Sequence, residues 1–353
     1  MKKTQVALAA LALVASTATL AEVTTYGTID ASVATTSKGV GSYLEQGAWT
    51  SASFLGFKGS EDLGNGLKAN FNLESGFGLN GDVANGGNNG GLFSRLANVG
   101  LSSDSLGAVS LGMQLSPFIA SAAGSTAGVG NFFVNRIIMG TGGAAAGCLA
   151  ANTCTNQIGG FFINNAVSYT SPSIAGFTAT VLTTAKGTAD NSAEDRIGLI
   201  TRNTGNDNYT SAAINGSVSG VNLTAAHEER RGSFKNYNIG GSYAIVDGLT
   251  VAGSYMNHKP EAGDSVKSYS ISGTYALTST VNLIAQFARS DQYLNANENA
   301  TLKNLAASYT LSKRTALYAS YTDGKNVQSA IGNRGASTTP STNTYNVGVV
   351  HSF

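Results

Sequence analysis

The side chains able to do chemistry in this chain are few and scattered. His227-Glu-Glu-Arg-Arg231 opens like the helical motif in which two histidines hold zinc, but Arg231 stands where the second histidine belongs. The segment also reads as a strand, on which successive residues take opposite faces, so a solvated rim within reach of lipid headgroups is the expected role. The other histidines, His258 and His351, fall on different strands, and none is positioned to activate a nucleophile or a water. The glycine-rich run 86–91 lacks the Lys-Ser/Thr of a phosphate loop, and no Gly-x-Ser-x-Gly elbow occurs. The expectation is therefore no enzyme, no cofactor and no metal. Cys148 and Cys154 lie close together, and in an exported chain a disulfide is their default state.

Export is expected from the start of the chain. Met1-Lys2-Lys3, an apolar run from Val6 to Ala15 and small residues to Ala21 form a signal peptide over 1–21, leaving Glu22 as the mature start. Beyond it no stretch approaches the ~20 apolar residues of a membrane-spanning helix. With 44 Gly, 4 Pro and 12% charged residues, the chain is too poor in charge for a disordered tail. Without Lys2 and Lys3, 19 basic residues face 20 acidic ones, so no global charge draws it to nucleic acid.

The elements that must position these side chains are strands. Tyr237, Ile239, Tyr243 and Ile245 share one face; Tyr269, Ile271, Tyr275 and Leu277 share another, with Ser270, Ser272 and Thr274 opposite. This is period two, in runs of about ten residues, the length that crosses an outer membrane when tilted. Tyrosines recur near strand ends, as in the aromatic girdles of membrane barrels; a soluble sandwich core is disfavoured by the uniformly polar opposite faces. Short turns are expected near 61–66, 103–107, 172–176, 217–220, 246–248, 279 and 312–314. Longer loops are expected near 78–91, 187–206, 231–234, 259–266, 291–300 and 324–342. Their alternation gives about 16 strands, the size class that leaves a water-filled channel. One stretch, 115–160, abandons alternation for Gly, Ala, Ser and Asn, and so long a loop is expected to have a job. The prediction is an all-β, 16-stranded antiparallel transmembrane barrel over 22–353, with a long external loop, 116–160, folded inward to narrow the channel. The early strands alternate poorly, notably 92–101, which suits a wall packed on another subunit.

At this point the residues resemble a family. Val23-Thr-Thr-Tyr-Gly-Thr-Ile-Asp30, Gly56-Phe-Lys-Gly-Ser-Glu-Asp-Leu63, Asn72-Leu-Glu-Ser-Gly-Phe77, Arg95-Leu-Ala-Asn-Val-Gly-Leu101 and Asn164-Asn-Ala-Val-Ser-Tyr-Thr-Ser-Pro172 stand in the order and spacing of general bacterial porins. Val347-Gly-Val-Val-His-Ser-Phe353 is similar to their closing strand. The resemblance implies a homotrimer in a Gram-negative outer membrane, in contact with lipid and lipopolysaccharide and passing small hydrophilic solutes. It also implies a terminal Phe353 read by the barrel assembly machinery. A structural or adhesive barrel and a channel specific for small organic anions are the alternatives.

The departures bear on selectivity. Phe54, Met113 and Phe162 stand where the family commonly has basic residues, Arg95 is kept, and Arg136 is the only charge in the long loop. Glu74 faces the lumen by alternation, since Leu67, Ala69, Phe71 and Leu73 take the other face; with Arg95 on the adjacent strand it forms either a transverse field across the channel or a wall salt bridge worth little energy. The expected pore residues are thus Arg95 and Arg136 on the basic side and Glu74 with Asp30 on the acidic side. Lys58 and Lys68 are placed near a periplasmic turn, screened from the constriction over ~8 Å. A lining charge acts on a passing ion with about 1–3 kcal/mol; the balance predicts weak anion preference or none.

Overall fold

The computed structural model describes residues 22–36, 42–46, 49, 53–79, 92–125, 161–184, 209–261, 264–291, 299–325 and 341–353. The strands are β1 (Glu22–Thr36), β2 (Ser42–Gln46), β3 (Phe54–Gly64), β4 (Leu67–Gly76), β5 (Leu96–Ser103), β6 (Gly107–Leu115), β7 (Phe162–Thr170), β8 (Phe177–Thr184) and β9 (Tyr209–Val218). They continue as β10 (Val221–Arg230), β11 (Phe234–Val246), β12 (Leu249–Pro260), β13 (Val266–Ala276), β14 (Val281–Ser290), β15 (Ala300–Ser312), β16 (Thr315–Lys325) and β17 (Ser341–Ser352). A helix, α1 (Pro117–Gly124), follows β6.

Every neighbouring pair is antiparallel, and β1 closes the ring on β17 from Thr28↔Ser352 to Thr36↔Thr344. On its other edge β1 pairs β3 over Glu22–Thr28 and β2 over Ala31–Thr35. So β2 and β3 are two halves of one wall strand, the first ending at Gln46 and the second starting at Phe54. The barrel therefore has sixteen walls' worth of strand. Period-two reading of the sequence gives no sign of this break.

Alternation explains which face is which. Tyr237, Ile239, Tyr243 and Ile245 are exposed while Asn236 and Asn238 are buried, so apolar residues line the outside and polar ones the inside. Outward tyrosines form two tiers, Tyr243, Tyr275 and Tyr309 towards the short turns and Tyr237, Tyr255 and Tyr269 towards the other end. At Asn65-Gly66 and Ser219-Gly220 both residues take positive φ, the two-residue hairpin turn whose twist matches that of its strands.

Three expectations need correction. The connection near 231–234 is a tight turn in which Gly232 takes φ 77°, so β11 begins at Phe234. The poor alternation of 92–101 arises because β5 begins only at Leu96. From there Ala97, Val99 and Leu101 alternate cleanly with Asn98, Gly100 and Ser102, which removes mixed polarity as an argument for subunit contact. Finally, the stretch after Leu115 opens with helix α1, where proline at the first turn suits a helix start. Residues 1–21 and 126–160, with Arg136, Cys148 and Cys154, lie outside the described residues.

Candidate functional site

Among the described residues, three of the side-chain groups on the inner face bear on the channel. The first joins β1, β3, β4, β5 and β7. Glu74 lies on β4 opposite Gly56 of β3 and Leu96 of β5. Its carboxylate accepts from Tyr26 OH at 2.8 Å and from Arg95 Nε at 3.0 Å. Arg95 precedes β5, and its backbone N–H bonds Glu74 O at 3.1 Å, which turns its side chain onto the inner wall. The guanidinium carbon stands 4.6 Å from the Phe54 ring centroid and 4.9 Å from that of Phe162. An arginine face against aromatic rings is stabilised by the ring quadrupole, by about 0.5–2 kcal/mol. Phe54 and Phe162, two positions that depart from the family pattern, thus enclose the arginine that is kept. The pair is largely buried, with side chains 14% (Arg95) and 8% (Glu74) exposed.

Met113 is not part of this group. It pairs with Ala97, in the register that carries Val99 and Leu111, two exposed apolar residues of the outer face. Strand parity therefore sets Met113 outward rather than in the pore.

The second group forms where the second wall strand is broken. Asp30, on the inner face of β1, is fully buried. It accepts from Trp49 N–H at 2.8 Å and from Tyr318 OH at 2.7 Å. The Trp49 and Tyr318 rings stack with centroids 4.6 Å apart. Asp30 is thus a structural acceptor that holds Trp49 against the inner wall, not a charge presented to water as expected.

The third group seats helix α1. Ala213 of β9 and Ala226 of β10 lie in one buried cluster with Phe118, Ile119 and Ala122, and Gly240 of β11 leaves room for Ser125, with which any side chain there would collide. Small wall residues thus make a floor for the helix. Its start is fixed by hydrogen bonds: Phe118 N–H donates to Ser211 Oγ at 3.0 Å, and Ser116 Oγ lies 2.8 Å from Tyr209 OH. Tyr209 OH donates to Glu228 at 2.6 Å, and Asn236 donates to the other Glu228 oxygen at 2.6 Å. Asn236 Oδ1 in turn lies 2.6 Å from His258 Nδ1. Tyr209, Glu228, Asn236 and His258 are all buried. This corrects the assignment of Glu228 to a solvated rim; its parity with Ala226 is the signal in the sequence that it points inward. His227, Glu229 and Lys235 do stand outward there, Lys235 at 3.3 Å from Glu229.

At the closing seam Phe353 exchanges backbone hydrogen bonds with Gly27, at 3.1 and 3.2 Å. No group of three or more potential metal ligands occurs among the described residues.

With this geometry in view, the chain's relatives are informative. The family model described as Gram-negative porin matches residues 7–329. An outer membrane porin protein of Bordetella pertussis is 29% identical over 198 residues, 53% of this chain and 47% of that protein. Outer membrane porin protein 32 of Delftia acidovorans is 40% identical over 121 residues, 33% of each chain. The matched stretches thus span about half or less of these relatives' length. Among solved structures, the anion-selective porin from Comamonas acidovorans superposes with TM-score 0.69 at 24% identity, over 95% of this chain and 100% of that one. OmpT of Vibrio cholerae superposes with TM-score 0.66 at 14% identity, over 94% and 98%. These structures share the fold, and the family match covers most of the sequence. The chain belongs to the Gram-negative porin family.

Proposed function

We propose that the protein is an outer-membrane porin, a water-filled channel for passive diffusion of small hydrophilic solutes and ions with weak anion preference or none. The observation that carries this reading is the closed sixteen-stranded wall, apolar outside and lined within by Ser, Asn, Thr and Gln. Such a wall satisfies its backbone in lipid while offering water a polar surface. Likeness to the anion-selective porin of Comamonas acidovorans supports the sign of the preference. Liposome swelling tests the reading: vesicles carrying the protein should admit small sugars at rates that fall with sugar size. Vesicles as tight as protein-free ones would refute it.

The same reading assigns the finer parts. Residues 1–21 are removed on export, three barrels assemble into a homotrimer, and Phe353 is the mark read by the assembly machinery. Segment 116–160 narrows the channel from its anchored helix α1, with Arg136 contributing charge and Cys148–Cys154 limiting its excursions. Lipopolysaccharide contacts the outward cations Lys235, Lys259, Lys267, Arg289 and Lys303 on β11–β15. Lys235 and Lys259 stand directly opposite each other, an arrangement that is unfavourable until an anion joins it; Glu229 supplies part of that charge.

A further inference from the structure

The charges on the inner wall of β1 to β5 differ in how far they are already engaged. Asp30 is fully buried and holds Trp49 and Tyr318. Glu74 and Arg95 hold each other at 3.0 Å. At any distance beyond a few ångströms they act as a dipole, whose effect on an ion falls faster than that of a single charge. Asp62 and Lys68 are cross-strand neighbours beside the Asn65-Gly66 turn without forming an ion pair; both are exposed at that end of the barrel, as is Glu22 on the same face of β1, and Asp62 accepts from Gly64 N–H at 2.8 Å. Lys58 stands closer to the Glu74–Arg95 pair, one inward position along β3 from Gly56, which Glu74 faces. It shares the inward parity of Gly56, whose Cβ position meets Tyr26 and Glu74, and its cross-strand partners are the uncharged Thr24 and Asn72. It is exposed, and no carboxylate of the described residues lies within 4.0 Å of it.

Nor is Lys58 remote from the candidate site, as its place in the sequence suggests. Its Nζ stands 5.0 Å from the centroid of the Tyr26 ring, and the hydroxyl of that ring bonds Glu74. The lysine is therefore one aromatic ring away from the Glu74–Arg95 pair, a separation comparable with the screening length of ~8 Å at physiological salt. Its aliphatic stem can follow the wall while the ammonium remains in water, the usual arrangement for lysine.

We infer that Lys58, rather than Arg95, is the residue of this wall that biases permeation toward anions. Arg95 serves as a brace: paired with Glu74 and set against Phe54 and Phe162, it holds β3, β5 and β7 together on the inner side. The inference rests on the channel reading above and refines which side chain sets its selectivity.

The test is the zero-current potential of the purified full-length protein in planar bilayers under a KCl gradient. Wild type, K58Q, K58R and the double variant E74Q/R95Q are compared. At ~6 Å and a water-like dielectric, loss of one lining charge changes ion occupancy about threefold, so K58Q should lower the anion-to-cation permeability ratio by about threefold or more. K58R should keep the ratio, and E74Q/R95Q, which removes no net charge, should move it less than K58Q does. The K58Q effect should shrink as salt is raised. A ratio unmoved by K58Q, or moved as far by the double variant, would overturn the inference. Conductance steps in each variant show that it is folded and open; their absence in the wild type would instead sink the channel reading itself.

Discussion

Replacement of Glu228 tests how helix α1 is held to the wall. Glu228 is fully buried and accepts two hydrogen bonds of 2.6 Å, from Tyr209 and from Asn236. Tyr209 in turn reaches Ser116 at the start of the helix. Hydrogen bonds to a charged acceptor contribute about 1.5–3 kcal/mol each, and removing the carboxylate returns part of its own desolvation cost. The expected net loss for Glu228→Ala is about 2–4 kcal/mol. At tenfold per 1.4 kcal/mol, that raises the population of the detached helix by about 30-fold to several hundredfold. Glu228→Gln should be much milder, costing about 1 kcal/mol. Its amide oxygen can still accept from Tyr209, and a flip of Asn236 with a tautomer change at His258 restores the other bond. Hydrogen exchange of the amides in 117–124, followed by mass spectrometry, reads the population directly. The order of rates should be Ala variant, then Gln variant, then wild type, and single-channel noise should follow it. Wild-type exchange in a folded Glu228→Ala barrel would refute the latch.

Other outcomes follow from the same geometry. Trp49 is the chain's single tryptophan, so Asp30→Ala, which frees its backbone N–H and costs about 2–4 kcal/mol locally, should shift its emission to the red; unchanged emission would contradict Asp30's structural role. Phe353→Ala should reduce the amount of assembled protein in cells while changing the stability of the folded barrel by only about 1–2 kcal/mol, because the seam's hydrogen bonds with Gly27 are made by backbone atoms and only the packing of the ring over Gly27 is lost. Equal loss in both measurements would argue against a recognition role for the ring. Peptide mapping without reduction should recover Cys148 joined to Cys154, and replacing both by Ser should cost at most about 2–3 kcal/mol; free thiols in envelope-purified protein would exclude the pairing.

The wall is the legible part of this chain. On β11 to β15 both faces can be read from alternation alone, because lipid and water impose opposite demands on neighbouring residues. The broken second strand is not legible, since what holds Trp49 inward is Asp30 on β1 and Tyr318 on β16, the latter far away in sequence. Helix α1 sits in a run of small residues that carries little periodic signal, and Ser116-Pro117 is the available mark of its start. The inner-wall groups resist reading for a similar reason. The pairing of Arg95 with Glu74 is legible from their adjacent strands, but its enclosure is not, because Phe54 and Phe162 reach it only after β3, β5 and β7 are brought together. Lys58 reads as peripheral when distance is counted along its strand, whereas its ammonium lies over Tyr26 of the neighbouring strand.

Single-channel recording of the purified protein in planar bilayers tests the central claim most directly. The account predicts discrete, stable conductance steps, and in a salt gradient a zero-current potential slightly on the anion-selective side or close to neutral. A bilayer that remains silent would contradict the channel, and a strongly cation-selective potential would contradict the assignment of its lining charges.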